Sequence, residues 1–190
     1  MTDRDEMHRP RAPREPLGGS SPLPSVPTND QIQAAQAGDL IALSDVLDGL
    51  APWVGRLCGS IALDAGPDAA QDTLIQVMRD LPGLRDPGSL RAWVRRIATR
   101  EAIRHAERRR REPLSEDLDR GEGRPLDPSL RRDVARVLES LPPEQRTILV
   151  LRDLEGLSEA EAAAVLQVAR GTIKSRLHRA RDAFRKRWSE

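Results

Sequence analysis

Apolar residues recur three or four positions apart along two long stretches of the chain, which is the spacing of helices with one buried face. In the first stretch they are Ile32, Leu40, Leu43, Val46, Leu47, Leu50, Trp53, Val54, Leu57, Ile61, Leu74, Val77, Met78 and Leu81. In the second they are Val134, Val137, Leu138, Leu141, Ile148, Leu149, Leu151 and Leu154. Strict alternation of apolar and polar residues, the pattern of a half-buried strand, is nowhere sustained. The pattern therefore predicts an all-α protein of two small helical modules.

Two stretches lack the residues that build a core. Residues 1–28 are rich in proline and charge and cannot bury enough apolar surface to offset the entropy of ordering the chain, so we expect a disordered arm. Residues 112–130 contain six acidic residues and three prolines and predict an acidic, flexible linker. The two modules then occupy residues 29–111 and 131–190.

The end of the second module has the pattern of a helix-turn-helix. Ser158 and Glu161 form an S-x-x-E capping box that opens a helix, a short turn follows at residues 167–169, and a basic helix begins near Arg170. This last helix has a predicted buried stripe at intervals of four, three and four, formed by Ile173, Leu177, Ala180 and Phe184. A plain solvated surface helix would carry the same charges, but the capped helix before it favours a helix that enters the major groove.

The remaining faces of the last helix carry side chains suited to DNA. Lysine and arginine neutralise phosphates and pair with guanine, and serine or histidine donates to base edges or phosphates. The predicted DNA contacts are Arg170, Thr172, Lys174, Ser175, His178 and Arg179.

The net charge of +1 conceals two strongly basic segments. Residues 85–111 hold ten arginines against three acids, and residues 170–187 hold eight lysines and arginines against one acid. Segregated positive charge of this kind favours a partner with a phosphate backbone.

No pattern in the sequence indicates catalysis, a cofactor or a metal. The one cysteine, Cys58, lies among apolar neighbours, the three histidines have no ligand or triad spacing, and no glycine-rich phosphate loop occurs. Neither a signal peptide nor an apolar run of about 18 residues, the length of a membrane span, is apparent. We therefore expect a soluble, cytoplasmic protein that is not an enzyme and does not insert into membranes.

The second module resembles region 4 of the extracytoplasmic-function (ECF) group of sigma-70 family transcription initiation factors. The shared residues are Leu141, Pro142, Gln145, Arg146, Leu151, Arg152, Asp153, Glu155, Gly156, Leu157, Ser158 and Glu161, followed by the phrase GTIKSRLHRAR. The resemblance implies that the last helix reads the minus-thirty-five element of a promoter. The turn departs from the family at Gln167, where a glycine is usual.

The first module resembles region 2 of the same group. In this family, one segment of region 2 docks on the clamp helices of the polymerase β′ subunit. The corresponding segment here is residues 68–79, DAAQDTLIQVMR, and the resemblance implies core-binding roles for Asp68, Gln71 and Asp72. LRAWVRRIATREAIRHAERRRR, residues 90–111, looks like the family's minus-ten recognition and melting segment, and the loop at residues 84–89 occupies the place where a nontemplate base is captured. The implied minus-ten contacts are Asp86, Ser89, Arg91, Arg95, Arg96, Arg100, Arg104 and Arg108. The family usually has asparagine and aspartate where this chain has Arg100 and Arg104.

Taken together, the resemblance implies a factor that binds bacterial RNA polymerase core, through the β′ clamp helices and the β flap, and directs promoter-specific initiation. Its expected partners are core polymerase, promoter DNA and an anti-sigma factor. Two alternatives stay open from the residues. One is a stand-alone helix-turn-helix regulator, which would leave residues 68–79 unexplained. The other is a sigma mimic that sequesters an anti-sigma factor, which the departures at Arg100 and Arg104 permit.

Overall fold

The computed structural model describes residues 27–111 and 128–189, and all regular structure within these ranges is helical. The described residues form eight α-helices: α1 (Asn29–Gln36), α2 (Leu40–Ala62), α3 (Gly66–Asp80), α4 (Leu90–Arg111), α5 (Pro128–Ser140), α6 (Pro143–Leu149), α7 (Glu159–Leu166) and α8 (Arg170–Trp188). The predicted all-α class is confirmed. Most of the arm that we expect to be disordered and most of the predicted acidic linker lie outside the described residues.

The first module is built around α2, which packs against α3 and α4. Asp39 starts this helix, because its carboxylate accepts hydrogen bonds from the backbone N–H groups of Ile41 and Ala42 at 2.9 and 3.1 Å. The face of α2 that looks into the module is fully buried and consists of Val46, Leu50, Val54, Leu57, Cys58 and Ile61. Burial raises the pKa of the Cys58 thiol to about 11, so this cysteine is a core residue and stays protonated.

In the second module, α5 to α8 surround a small core of Leu141, Ile148, Leu151, Ile173 and Ala180. The predicted capping box is present: the Ser158 hydroxyl accepts from the Glu161 N–H at 3.2 Å, and the Glu161 carboxylate accepts from the Ser158 N–H at 2.8 Å. These hydrogen bonds hold the pKa of Glu161 below its usual range. Between α6 and α7 the chain makes a wide helical turn, Val150–Leu154, and then leaves the helix at Gly156, whose φ is +70°.

The turn between α7 and α8 is made by Gln167, whose backbone is left-handed with φ 54° and ψ 43°. A residue with a Cβ atom is destabilised by about 1 kcal/mol or more in the left-handed conformation, whereas glycine, which has no Cβ, is not. Gln167→Gly is therefore expected to stabilise the protein by about 0.5 kcal/mol, since the greater chain entropy of glycine offsets part of the gain. A thermal melt measures this as a rise of about 2 °C. Gln167→Ala is the control, and an equal rise in that variant would contradict the explanation.

Several residues expected in the core lie at the surface. Leu40 is 77% exposed, Met78 is 44% exposed and Leu154 is 67% exposed, so the buried faces of these helices are narrower than the sequence predicted. Helix α4 begins at Leu90, directly after a short turn. Asp86 caps the turn Pro87–Ser89 through its side chain, and that turn leads into α4.

A stretch within Leu40–Gly83 is long and apolar enough to cross a membrane by length and composition, with a mean hydropathy of 1.2, although sequence inspection found no such run. Its apolar residues have a different role here. Val46, Val54 and Ile61 are fully buried in the core of the first module. The apolarity of the stretch is thus accounted for by packing between helices.

The two modules pack directly against each other. Helix α4 of the first module contacts α6 and α7 of the second, and the buried residues of both form one continuous cluster. The sequence predicted two modules separated by a linker that ends at residue 130. Instead, α5 already begins at Pro128, and the modules share an interface in addition to their covalent connection.

Candidate nucleic-acid interface

Helix α8 presents a basic face to solvent. Ile173, Leu177 and Ala180 are buried, as the stripe predicted, while Phe184 is half-buried and stacks on Trp188 with ring centroids 5.9 Å apart. The exposed residues of the opposite face are Arg170, Lys174, Ser175, His178 and Arg179. Thr172 is half-buried, and its carbonyl accepts a hydrogen bond from Ser175 Oγ at 3.0 Å.

The contacts within this basic face are few and exposed. His178 Nδ1 lies 2.8 Å from Asp182, and Arg170 Nε lies 3.6 Å from Glu159. The Arg179 Nε–H donates to the carbonyl of Ser175, one turn earlier, at 3.3 Å. Exposed contacts of this type contribute little to stability, so the side chains of this face remain able to exchange their partners for phosphate.

The structure adds Arg176 to the candidate residues. It is half-buried and lines a shallow cavity of about 230 Å³ together with Arg179, Glu144 and Gln145, so the start of α6 borders the basic face of α8. The sequence analysis did not single out Arg176. The sequence feature that could have identified it is its position three residues before Arg179, which places the two guanidinium groups on adjacent turns of α8.

The arginines of α4 fall into two groups. Arg91, Arg96, Arg100, Arg104 and Arg108 are exposed, whereas Arg95 is half-buried at the contact between the packed modules, where it faces Glu155. Arg100 donates to Gln76 on α3 at 2.8 Å, and Arg104 donates to Asp72 at 2.8 Å. The two positions that depart from the family therefore tie α4 to α3.

Asp68, Gln71 and Asp72 share one face of α3, as predicted. The first two are exposed, and Asp72 is half-buried. Asp72 Oδ2 also lies 2.8 Å from His105 Nε2, and this hydrogen bond, with support from Arg104, holds the pKa of Asp72 below its usual range. The carboxylate is therefore ionised at neutral pH.

A group of possible metal ligands occurs at the same place. One ligand atom each from Asp72, Glu101 and His105 lies within 4.8 Å of the others. Arg104 occupies the centre of this group, because its guanidinium is 2.8 Å from the carboxylate of Asp72 and 2.5 Å from that of Glu101. A cation already pairs with both carboxylates, so the arrangement is an ion-pair network linking α3 and α4.

The loop at residues 84–89 is held in place from two sides. Asp86 Oδ1 accepts from the Gly88 N–H at 3.0 Å, and Ser89 Oγ donates to the Asp86 carbonyl at 2.7 Å. From α1, the Gln36 amide donates to the carbonyls of Leu81 and Leu84 at 3.0 and 2.6 Å. Gln36, which was not predicted to have a role, thus fixes the start of this loop.

An apolar groove of about 590 Å³ crosses the second module. It lies between α5, the end of α6 and the last turns of α8, and is lined by Val134, Leu138, Leu149, Val150, Leu154 and Phe184. The Arg181–Asp153 ion pair, with a closest distance of 2.5 Å, borders it. The sequence analysis did not predict this groove, because three separate helices form it.

Two family models match the chain. The model described as sigma-70 region 2 matches residues 49–112, and the model described as sigma-70 region 4 matches residues 131–184. Each match falls on one of the two modules, in the order expected from the sequence.

Curated relatives agree with this assignment. The ECF RNA polymerase sigma factor SigE of Mycolicibacterium smegmatis is 39% identical over 128 residues, which is 62% of this chain and 49% of that protein. The ECF RNA polymerase sigma-E factor of Escherichia coli K12 is 34% identical over 135 residues, which is 62% of this chain and 71% of that protein. The chain thus matches about half of the mycobacterial protein and more than two thirds of the enterobacterial one.

Two solved structures have the same fold. CnrH in complex with the cytosolic domain of CnrY has a TM-score of 0.59 at 22% identity, covering 83% of this chain and 94% of that one. The sigma factor RpoE in complex with the anti-sigma factor NepR from Bartonella quintana also has a TM-score of 0.59, at 26% identity, covering 74% of this chain and 92% of that one.

Proposed function

Since this chain belongs to the ECF group of sigma-70 family factors, which direct RNA polymerase to promoters, we propose that α3 docks on core polymerase while α4 and α8 bind promoter DNA. The observation that carries the proposal is the presence of two different surfaces on one chain. The polar face of α3 suits a protein partner, and the basic faces of α4 and α8 suit phosphate. Sigma factors are not enzymes, and the polymerase supplies the chemistry. Because a sigma factor acts on RNA polymerase, we expect this protein in the cytoplasm.

Core docking is assigned to Asp68, Gln71 and Asp72, opposite the clamp helices of the β′ subunit. The network of Arg104 and His105 supports this role, since it keeps Asp72 ionised and fixes its position. A fixed, charged carboxylate loses little entropy when it pairs with a cation of the partner.

Promoter contacts are assigned to two sets of residues. The minus-ten set consists of Asp86, Ser89, Arg91, Arg95, Arg96, Arg100, Arg104 and Arg108. The minus-thirty-five set consists of Arg170, Thr172, Lys174, Ser175, His178 and Arg179, and we add Arg176 because it borders the same basic face.

The apolar groove of the second module is the docking place that we assign to the β flap. A groove between helices with an apolar floor and a charged border fits the apolar face of an amphipathic helix. Binding of an anti-sigma factor is a further expectation, supported by the complex of the structural neighbour RpoE with NepR.

Run-off transcription with purified core polymerase and a pool of genomic promoters tests the function as a whole. We expect discrete, protein-dependent transcripts. Failure to bind core at all would contradict the proposal and favour the stand-alone regulator, which needs no polymerase.

Asp68→Lys is expected to weaken binding to core polymerase by about tenfold or more, because a repelling charge at a docking surface costs over 1 kcal/mol. Asp45→Lys makes the same charge change at an exposed position of α2 and is the matched control. Fluorescence anisotropy of the labelled protein with core measures both affinities. Equal losses in the two variants would show that net charge, and not the face of α3, determines binding.

A further inference from the structure

One carboxylate from the second module reaches into the first. Glu155 Oε2 accepts a hydrogen bond from the indole N–H of Trp53 at 3.1 Å and lies 3.5 Å from Nε of Arg95. Trp53 is only 8% exposed, and the side chains of Arg95 and Glu155 are each 19% exposed. The carboxylate is therefore held in a nearly closed site between the modules.

The groups around this carboxylate form a binding site for an anion. The guanidinium of Arg91 lies 4.8 Å from the centre of the Trp53 ring, and that of Arg95 lies 5.4 Å from it. Arg95 and the indole N–H therefore face the carboxylate, and Arg91 adds a second positive charge over the Trp53 ring. Arginine and indole N–H groups donate only, so an oxyanion is the ligand that satisfies them.

Glu155 fills this site incompletely. Nε of Arg95 is buried and has no hydrogen-bond partner among the described residues, because the carboxylate oxygen 3.5 Å away does not have the geometry of a hydrogen bond. A buried donor without a partner is unfavourable. An anion with two oxygens free to turn toward both donors would bind the site better than this carboxylate does.

We propose that Trp53, Arg91 and Arg95 form a binding site for a backbone phosphate of promoter DNA, which Glu155 occupies while the two modules are packed together. The inference rests on the proposed function, because it assigns the site to the minus-ten interface. Arg91 and Arg95 are already in that set, and Trp53 is the new member. Glu155 takes the place of the phosphate and prevents the site from binding DNA in the resting protein.

The geometry of a promoter requires Glu155 to leave. The minus-ten and minus-thirty-five elements are about 25 base pairs apart, or roughly 85 Å at about 3.4 Å per base pair. A compact protein of 190 residues has a radius of gyration of about 16 Å. Modules that touch each other therefore cannot bind both elements at once. When they separate, Glu155 moves away with the second module and the site becomes free.

The sharpest test compares two variants that remove one negative charge each. Glu155→Gln keeps the shape of the side chain but weakens its attraction to Arg95. The control, Asp153→Asn, lies two residues earlier and removes an ion pair with Arg181 that is contained within the second module. The affinity of the full chain for fluorescein-labelled oligothymidylate is measured by anisotropy at several salt concentrations, without polymerase.

We expect Glu155→Gln to bind the oligonucleotide about fivefold more tightly, and the slope of log K against log salt to steepen by about 0.7 for one added phosphate. Asp153→Asn should change affinity less than twofold. Combining Arg95→Gln with Glu155→Gln should abolish the gain, because the phosphate then lacks its main donor. Melting curves of each variant verify that it is folded.

Three results would overturn the proposal: an unchanged affinity in Glu155→Gln, an equal gain in Asp153→Asn, or a gain that persists when Arg95 is replaced. Each is independent of the run-off assay. If the protein directs transcription but Glu155→Gln has no effect, the proposed phosphate site is wrong and the proposed function stands. If Glu155→Gln binds the oligonucleotide more tightly but the protein does not bind core polymerase, the proposed function is wrong and the anion site stands.

Discussion

Replacement of both Lys174 and Arg179 by alanine is expected to weaken binding of the complete polymerase complex to its upstream promoter element by about a hundredfold. Each contact of a cation with a base or phosphate contributes about 1–3 kcal/mol to discrimination, and the two side chains lie on the exposed face of α8. Alanine favours the helix, so α8 itself stays intact. Anisotropy of a labelled promoter fragment with the complex measures the loss.

The matched control replaces Lys186 and Arg187, which carry the same charge in the last turn of the same helix and do not line the apolar groove. In helix-turn-helix proteins the first turns of the recognition helix contact the bases, so we expect this pair to change binding less than threefold. An equal loss in both double variants would mean that α8 attracts DNA by charge alone. The double variant at Lys174 and Arg179 should still bind core polymerase. A sigma mimic would keep partner binding and have no promoter activity to lose.

Gly66→Ala is expected to destabilise the first module by about 3 kcal/mol. A Cβ atom at this position would lie 2.6 Å from Cα and 2.9 Å from N of Gly59, which are backbone atoms of α2. A side chain could turn away from such a contact, but backbone atoms cannot, so α2 and α3 would have to move apart. Overpacking of this kind typically costs about 1–3 kcal/mol and sometimes more. Urea unfolding, followed by circular dichroism, measures the change in stability.

Gly55→Ala is the control for this effect. Gly55 lies in the interior of α2, and a Cβ added there has no atom within 4 Å. Since alanine is better than glycine in a helix by about 1 kcal/mol, this variant should be as stable as the parent protein or more stable. A similar loss in both variants would show that the close approach of Gly66 to Gly59 is not the cause.

Features that depend on neighbouring residues could be predicted from the sequence. The capping box of Ser158 and Glu161, the start of α8 at Arg170 and its buried stripe all follow from spacings within one or two turns, and the structure confirms them. The shared face of Asp68, Gln71 and Asp72 follows from the same helical period.

The sequence by itself determined the helices, the two modules and the basic character of α4 and α8, because short-range hydrogen bonding and one buried face are sufficient for these. Only the tertiary structure decided which partner each charged side chain takes. Arg104 binds Asp72 across two helices, and Glu155 binds Trp53 across a separation of 102 residues. Such contacts depend on how the modules pack, and packing is set by the combined shape of several helices, which no local pattern of residues records.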